Sequence, residues 1–201
     1  MMTDKKQQTI DTYNRNASRM ANKFNNIGAR VEDIEEVFSL IKKENPFVLE
    51  IGCGNGRDAA EVVKRTNNYL GVDIAEEFIK IARGNVPQGK FEVGDIESYD
   101  LPEGLDIVFA FASLIHTPKE GLMKIIDKIY NSLNTDGIVF LSMKYSNQYG
   151  EILKEDEFGS RTFYLYSKKD AEELGKDFHI LRNDVSHLRG QEWLKTILIK
   201  K

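Results

Sequence analysis

One cysteine, Cys53, among 201 residues rules out an internal disulfide, and histidines only at 116, 179 and 187 give no ligand spacing for a structural zinc. A reducing, cytoplasmic setting is expected, with no metal. Long apolar runs are missing as well. The longest, IVFAFASLI at 107–115, falls short of the ~20 residues a membrane span needs, and MMTDKKQQTIDTYNRN at the start lacks the apolar centre of a signal peptide. Neither secretion nor membrane insertion is expected. Nor is there an excess of positive charge: 28 Lys and Arg against 32 Asp and Glu leave −4, which argues against a nucleic acid or a membrane surface as partner. Repeats and low-complexity tracts are absent. What remains, 41% hydrophobic and 30% charged, is the composition of one globular domain with one core.

The charge is unevenly placed. Residues 1–30 hold six basic and two acidic side chains, +4, which leaves −8 for the rest of a chain whose total is −4. Ile10, Tyr13, Ala17, Met20 and Phe24 recur at helical spacing, and a second helical pattern runs from Val31 to Ile41 before Pro46 stops it. Residues 46–201 therefore read as the main body of the domain, and residues 1–45 as a helical arm of the same domain that serves it as a lid.

From Phe47 onward strand and helix alternate: strands at 47–51, 69–73, 90–93, 105–110 and 137–143, helices at 58–66, 75–83 and 119–133. Such repeats imply right-handed crossovers and a doubly wound, mostly parallel α/β sheet. Residues 145–161 are polar and read as a loop or insertion. RTFYLY at 161–166 is a strand candidate, Ser167 opens a helix over 168–175, and strands at 178–185 and 192–199 pair antiparallel across the connection 186–191.

The most informative stretch is Glu50-Ile51-Gly52-Cys53-Gly54-Asn55-Gly56, a glycine turn between strand and helix, where a backbone without side chains can touch a ligand. A dinucleotide fold calls for Gly-x-Gly-x-x-Gly, whose third glycine falls at position 57, here Arg57. Glu50, two residues ahead of Gly52, would disfavour an anionic ligand and favour one with an ammonium or sulfonium group. Asp73 ends the second strand, placed to accept from two ribose hydroxyls. Asp95 ends the third, placed to accept from an adenine amino group, with Ile74 and Ile96 as apolar faces. Three acids on successive strand tips mark the rim where open α/β sheets bind ligands.

VLEIGCGNG (48–56), LGVDIAEEFI (70–79), GDI (94–96), LDIVFAFASLIHTP (105–118) and LNTDGIVFLSMK (133–144) together resemble the class I S-adenosylmethionine-dependent methyltransferases of small molecules. The resemblance implies a Rossmann-like seven-stranded sheet with an antiparallel final strand. It implies S-adenosyl-L-methionine as cofactor and S-adenosyl-L-homocysteine as product. Gly52, Cys53 and Gly54 would approach the methionine part, Asp73 the ribose, Asp95 and Ile96 the adenine. Phe111 and Ala112 would line the cofactor through their backbone, and Tyr13 would reach in from the lid.

Methyl transfer from a sulfonium is an in-line displacement, so the acceptor decides whether a base is needed. His116, in SLIHTP after the fourth strand, is the candidate base, with an ordinary pKa near 6.5. Lys144, Tyr145, Arg161 and Tyr164 are candidate acceptor residues, an Arg beside tyrosines suiting a carboxylate or phosphate. Trp193 reads as core. Phe111-Ala112-Ser113-Leu114 departs from the Asn/Asp-Pro-Pro-aromatic sequence of nucleic-acid amino methyltransferases, and Cys53 is misplaced for pyrimidine chemistry. A small-molecule acceptor is expected. Other use of the same cofactor, a non-catalytic binder and an NAD-dependent dehydrogenase are the alternatives, and oligomeric state is left open.

Overall fold

The expected alternation of strand and helix is present in a computed structural model, which describes residues 4–188 and 190–201. Residues 1–3 of the arm and residue 189 of the connection 186–191 lie outside the described residues. Strands β1 (Val48–Ile51), β2 (Tyr69–Asp73), β3 (Lys90–Val93), β4 (Leu105–Phe111) and β5 (Leu133–Tyr145) are parallel in the order β3-β2-β1-β4-β5. All of β1 and β4 is buried, as strands covered on both faces must be.

Alternation splits the core into two layers. Leu49, Ile51 and Val108 point to one face, against Leu122, Ile125, Ile126 and Ile129 of α5 (Lys119–Ser132). Val48, Ile107 and Phe109 point to the other, against Ile34 and Val37 of α2 (Val31–Leu40) and Ile79 and Ala82 of α4 (Glu76–Asn85). Fully burying such a side chain stabilises the fold by about 1.5–3 kcal/mol.

Two features differ from expectation. Among the described residues the sheet has nine strands, because the stretch expected as a loop contains β6 (Gly150–Asp156), which pairs antiparallel with β7 (Gly159–Tyr166), the strand expected at 161–166; β7 continues the sheet beside Lys144 and Tyr145 at the end of β5. Nearly all of β6 is exposed, so it carries no hydrophobic alternation to betray it. The expected helix at 58–66 is reduced to one turn, α3 (Ala59–Val62). The Arg65 amide bonds back to Val62 O at 2.9 Å, and the Thr66 hydroxyl donates to Pro46 O at 2.6 Å, which turns the chain into β2. The final helix, α6 (Lys168–Leu174), is opened by Ser167 as expected, with a reciprocal cap to Asp170. Strands β8 (Phe178–Leu188) and β9 (Gln191–Lys200) pair antiparallel, and β9 lies antiparallel on β5, which completes the expected sheet.

Of the expected arm 1–45, α1 (Asp4–Ile27) lies over the C-terminal edge of the sheet, whereas α2 covers one of its faces. Ala17, Met20 and Ala21 of α1 pack with Ala75 and Phe78 at the start of α4 and with Phe158 at the hairpin tip, a third apolar cluster apart from the two sheet layers.

Candidate active site

Because β1 to β4 run parallel, their last residues converge on one rim, and α1 roofs it. Between them is a cavity of about 700 Å³, lined by Glu50, Asp73, Asp95, Phe111 and Ala112 from below and by Ile10, Tyr13 and Phe24 from above.

The glycine turn does two different jobs. At Gly52 (φ +69°) a Cβ would stand 2.1 Å from the Cβ of Ser113, so this glycine lets the β1 turn pass the β4 loop, whose Ser113 hydroxyl donates to Ile51 O at 2.6 Å. Gly54 (φ +53°) has no atom within 4 Å of where its Cβ would be, so its backbone is open. Its N–H donates at 2.9 Å to Asp73, whose other oxygen accepts from Ala75 N at 2.8 Å. Asp73 thus holds the turn in place while lining the cavity, and burial raises its pKa against these amides. Cys53 is buried, with a thiol pushed well up by burial. Ala112 adopts φ +51°, an uncommon conformation for a residue with a Cβ.

Glu50 is 1% exposed and accepts from the Tyr69 hydroxyl at 2.6 Å. Burial, reinforced by Asp58, lifts its pKa to about 8, so the carboxyl is mostly protonated at neutral pH. Asp58 itself pairs with Arg30 at 2.7 Å and with Arg57. That accounts for the arginine where a dinucleotide fold has glycine: it neutralises a buried acid.

The roof is tied down by polar contacts. Lys6 Nζ reaches both Asp95 oxygens at 2.7 and 2.9 Å, so the acid expected at the adenine also anchors α1. The Thr12 hydroxyl donates to Ser160 O at 3.1 Å, Asn16 Nδ2 to Phe158 O at 2.8 Å, and Thr162 N to the Thr9 hydroxyl at 3.3 Å. Tyr13 does reach inward. Its hydroxyl lies 2.8 Å from His116 Nε2, while His116 Nδ1 lies 2.5 Å from Thr162 O. A carbonyl can only accept, so Nδ1 carries the proton and Nε2 accepts from Tyr13. Burial, with Arg161 and Lys144 adding to it, drives His116 down to about 4, and the Tyr13 hydroxyl is raised by burial. The pair therefore holds its proton on the phenol, and His116 is a weaker base than its type suggests.

The expected acceptor residues divide by strand alternation. Lys144 and Arg161 line the cavity; Tyr145 and Tyr164, on the same two strands, do not. The Tyr145 hydroxyl turns to Asn147 Oδ1 at 2.8 Å, and Tyr164 stacks on Tyr149 with ring centroids 6.1 Å apart. Lys154, Phe158 and Phe163 belong to the wall and were not singled out in the sequence; the period-two pattern of RTFYLY points to Phe163. Trp193, expected in the core, also lines the cavity, with Lys144 Nζ 5.3 Å from its ring centroid.

A methyltransferase-domain family model matches residues 48–137, the segment from β1 through the start of β5. Malonyl-[acyl-carrier protein] O-methyltransferase 1 of Ilyobacter polytropus is 25% identical over 85% of this chain and 68% of its own length. Phosphoethanolamine N-methyltransferase 1 of Zea mays is 25% identical over 73% of this chain, which spans only 31% of that protein. The 1,6-didemethyltoxoflavin-N1-methyltransferase of Burkholderia thailandensis, solved with its substrate and S-adenosylhomocysteine, superposes with a TM-score of 0.73 over 100% of this chain and 92% of its own, at 15% identity. Over residues 48–137, a little under half of its length, the chain matches the methyltransferase-domain family, and its fold is that of S-adenosylmethionine-dependent methyltransferases. Among the described residues no helix is long and apolar enough to cross a membrane.

Proposed function

We propose that this protein transfers a methyl group from S-adenosylmethionine to a small-molecule acceptor, inside the cavity under α1. The observation that carries this reading is a roofed cavity lined both by acids from three strand tips and by the charged side chains of β5 and β7. The residues fit the cofactor. Gly54 leaves backbone open to the cavity, Glu50 supplies a carboxyl that a cationic ligand would favour in its ionised form, Asp73 and Asp95 supply acceptors, and Ile74 and Ile96 supply apolar faces. When bound, the cofactor supplies an electrophilic methyl carbon on a sulfonium. The chain's part is to orient, to exclude water through α1, and to leave the acceptor atom unprotonated. With Nε2 committed to Tyr13, His116 fits a positioning role better than that of a base. The relatives carry names of both O- and N-methyltransferases, so they do not choose the acceptor atom.

Titration calorimetry with S-adenosylmethionine, its demethylated product and NAD tests the cofactor half; mass spectrometry of small acids, phenols, amines and thiols after incubation tests transfer. Binding of the first two ligands with a methyl-group mass gain on a small acceptor is expected. Preference for NAD, or cofactor binding with methylation only of a macromolecule, would overturn it.

A further inference from the structure

The wall facing the acceptor carries more positive charge than its neighbours neutralise. Arg161 and Lys144 are 8% and 9% exposed, yet both line the cavity. They surround one ring: Lys144 Nζ is 5.0 Å and the Arg161 guanidinium carbon 5.5 Å from the centroid of Phe163, and the His116 ring is 4.6 Å away. Lys154, opposite Arg161 on the hairpin, adds a third cation. Against these stands one acid of the same hairpin, Asp156, 2.5 Å from Arg161 and 3.8 Å from Lys154. Lys144 bonds only to a neutral partner, the Gln191 amide oxygen at 3.0 Å, among the described residues. Arg161 Nε is buried with no hydrogen-bond partner among them. Burying cations with their donors unmet is costly, so a wall of this kind is complete only when an anion stands before it.

Resting on the methyl-transfer reading above, we infer that the acceptor is a small carboxylic acid with an apolar body. Arg161 and Lys144 hold its carboxylate, Phe163 and Trp193 flank the rest, and a carboxylate oxygen is the atom methylated. The chemistry closes without a base. An oxygen lone pair forms the new O–C bond as the C–S bond breaks, the bonding pair goes to sulfur, a neutral methyl ester results, and no proton moves. A phenol or an ammonium would have to lose a proton, whereas His116 is bonded to Tyr13 and weakly basic, Asp156 is paired, and Lys144, though burial lowers its pKa, is bonded to the Gln191 amide oxygen. Phosphate esters share the anionic head, so they form a separate arm of the test.

The experiment measures binding apart from turnover. Benzoate, phenylacetate and hexanoate, their neutral amides, and phenyl phosphate are titrated calorimetrically into the protein with and without S-adenosylhomocysteine. Acids should bind at least tenfold more tightly than their amides, and Arg161→Gln and Lys144→Met should each lose about tenfold or more in acid affinity while S-adenosylmethionine affinity is kept, which also shows both variants folded. Incubation with S-adenosylmethionine should then give methyl esters. Equal binding of acids and amides, tighter phenyl phosphate, no acid binding in a protein that binds S-adenosylmethionine, or methylation at nitrogen or a phenol would overturn the carboxylate assignment. Acid binding without S-adenosylmethionine binding would overturn only the transfer reading.

Discussion

Glu50 makes a prediction about stability that its place in the cavity turns into one about binding. Its carboxyl has a folded pKa of about 8 against 4.5 as its ordinary value. The folded state therefore holds a proton that the unfolded chain releases, so this group's contribution is full below about pH 4.5 and is lost as pH rises towards 8. Three and a half units at 1.36 kcal/mol each bound that loss at roughly 5 kcal/mol. His116 runs the other way. Its folded pKa of about 4 against 6.5 means that the unfolded chain binds the extra proton, so stability rises with pH between 4 and 6.5 by roughly 3 kcal/mol. The two slopes cancel between about pH 4.5 and 6.5, and of these two groups only Glu50 still contributes above 6.5. Urea unfolding should then show a loss of about 2 kcal/mol from pH 6.5 to 8. Glu50→Gln keeps the shape, stays neutral, and should abolish that decline. S-adenosylmethionine, by placing positive charge near the carboxyl, should favour its ionised form and bind with release of a proton near pH 7, seen as a heat that depends on the buffer's ionisation enthalpy. A Glu50→Gln protein that still loses about 2 kcal/mol over this window would refute the assignment.

The glycine turn should separate folding from binding. Gly52→Ala must displace Ser113 and adopt φ +69°, so a cost of several kcal/mol is expected in urea unfolding, whereas Gly54→Ala meets no atom and should cost about 1 kcal/mol yet weaken cofactor affinity at least tenfold. Asn16→Ala removes the bond to Phe158 O, at about 1 kcal/mol, and should speed amide hydrogen exchange in α1 more than in β4; uniform acceleration would refute a separable roof. His116→Gln keeps a neutral polar group beside Tyr13, so kcat should fall less than tenfold with no change in its pH dependence between 6 and 8. A loss of a hundredfold or more would restore the base role.

Much of this was legible in the sequence, for reasons that particular residues make plain. Val48–Ile51 and Leu105–Phe111 announce themselves because parallel strands are apolar on both faces. The acids at 50, 73 and 95 are visible because a parallel sheet puts every strand's end on one rim. The β6 strand was hidden because its side chains face water and its order comes from pairing with β7. Tyr13 and His116 lie 103 positions apart, and nothing local to either residue signals the other. The division of Lys144 from Tyr145 was readable in principle. Both end β5, and consecutive residues of a strand cannot face the same way.

Strand β5 has consequences for how such an enzyme diversifies. Its 13 residues run past the sheet: Ile138 to Lys144 pair with β9, and at Lys144 and Tyr145 the strand takes on the hairpin as a second neighbour. The proposed cofactor rim comes from β1 to β4, and most of the wall proposed for the acceptor from β7 and the hairpin tip. A graft of residues 150–166 from a relative would exchange most of that wall, all but Lys144 and Trp193, while Gly54 and Asp73 keep their places, so acceptor choice can drift with cofactor use unchanged. The roof drifts with it, since Thr9, Thr12 and Asn16 of α1 bond to the hairpin's own backbone.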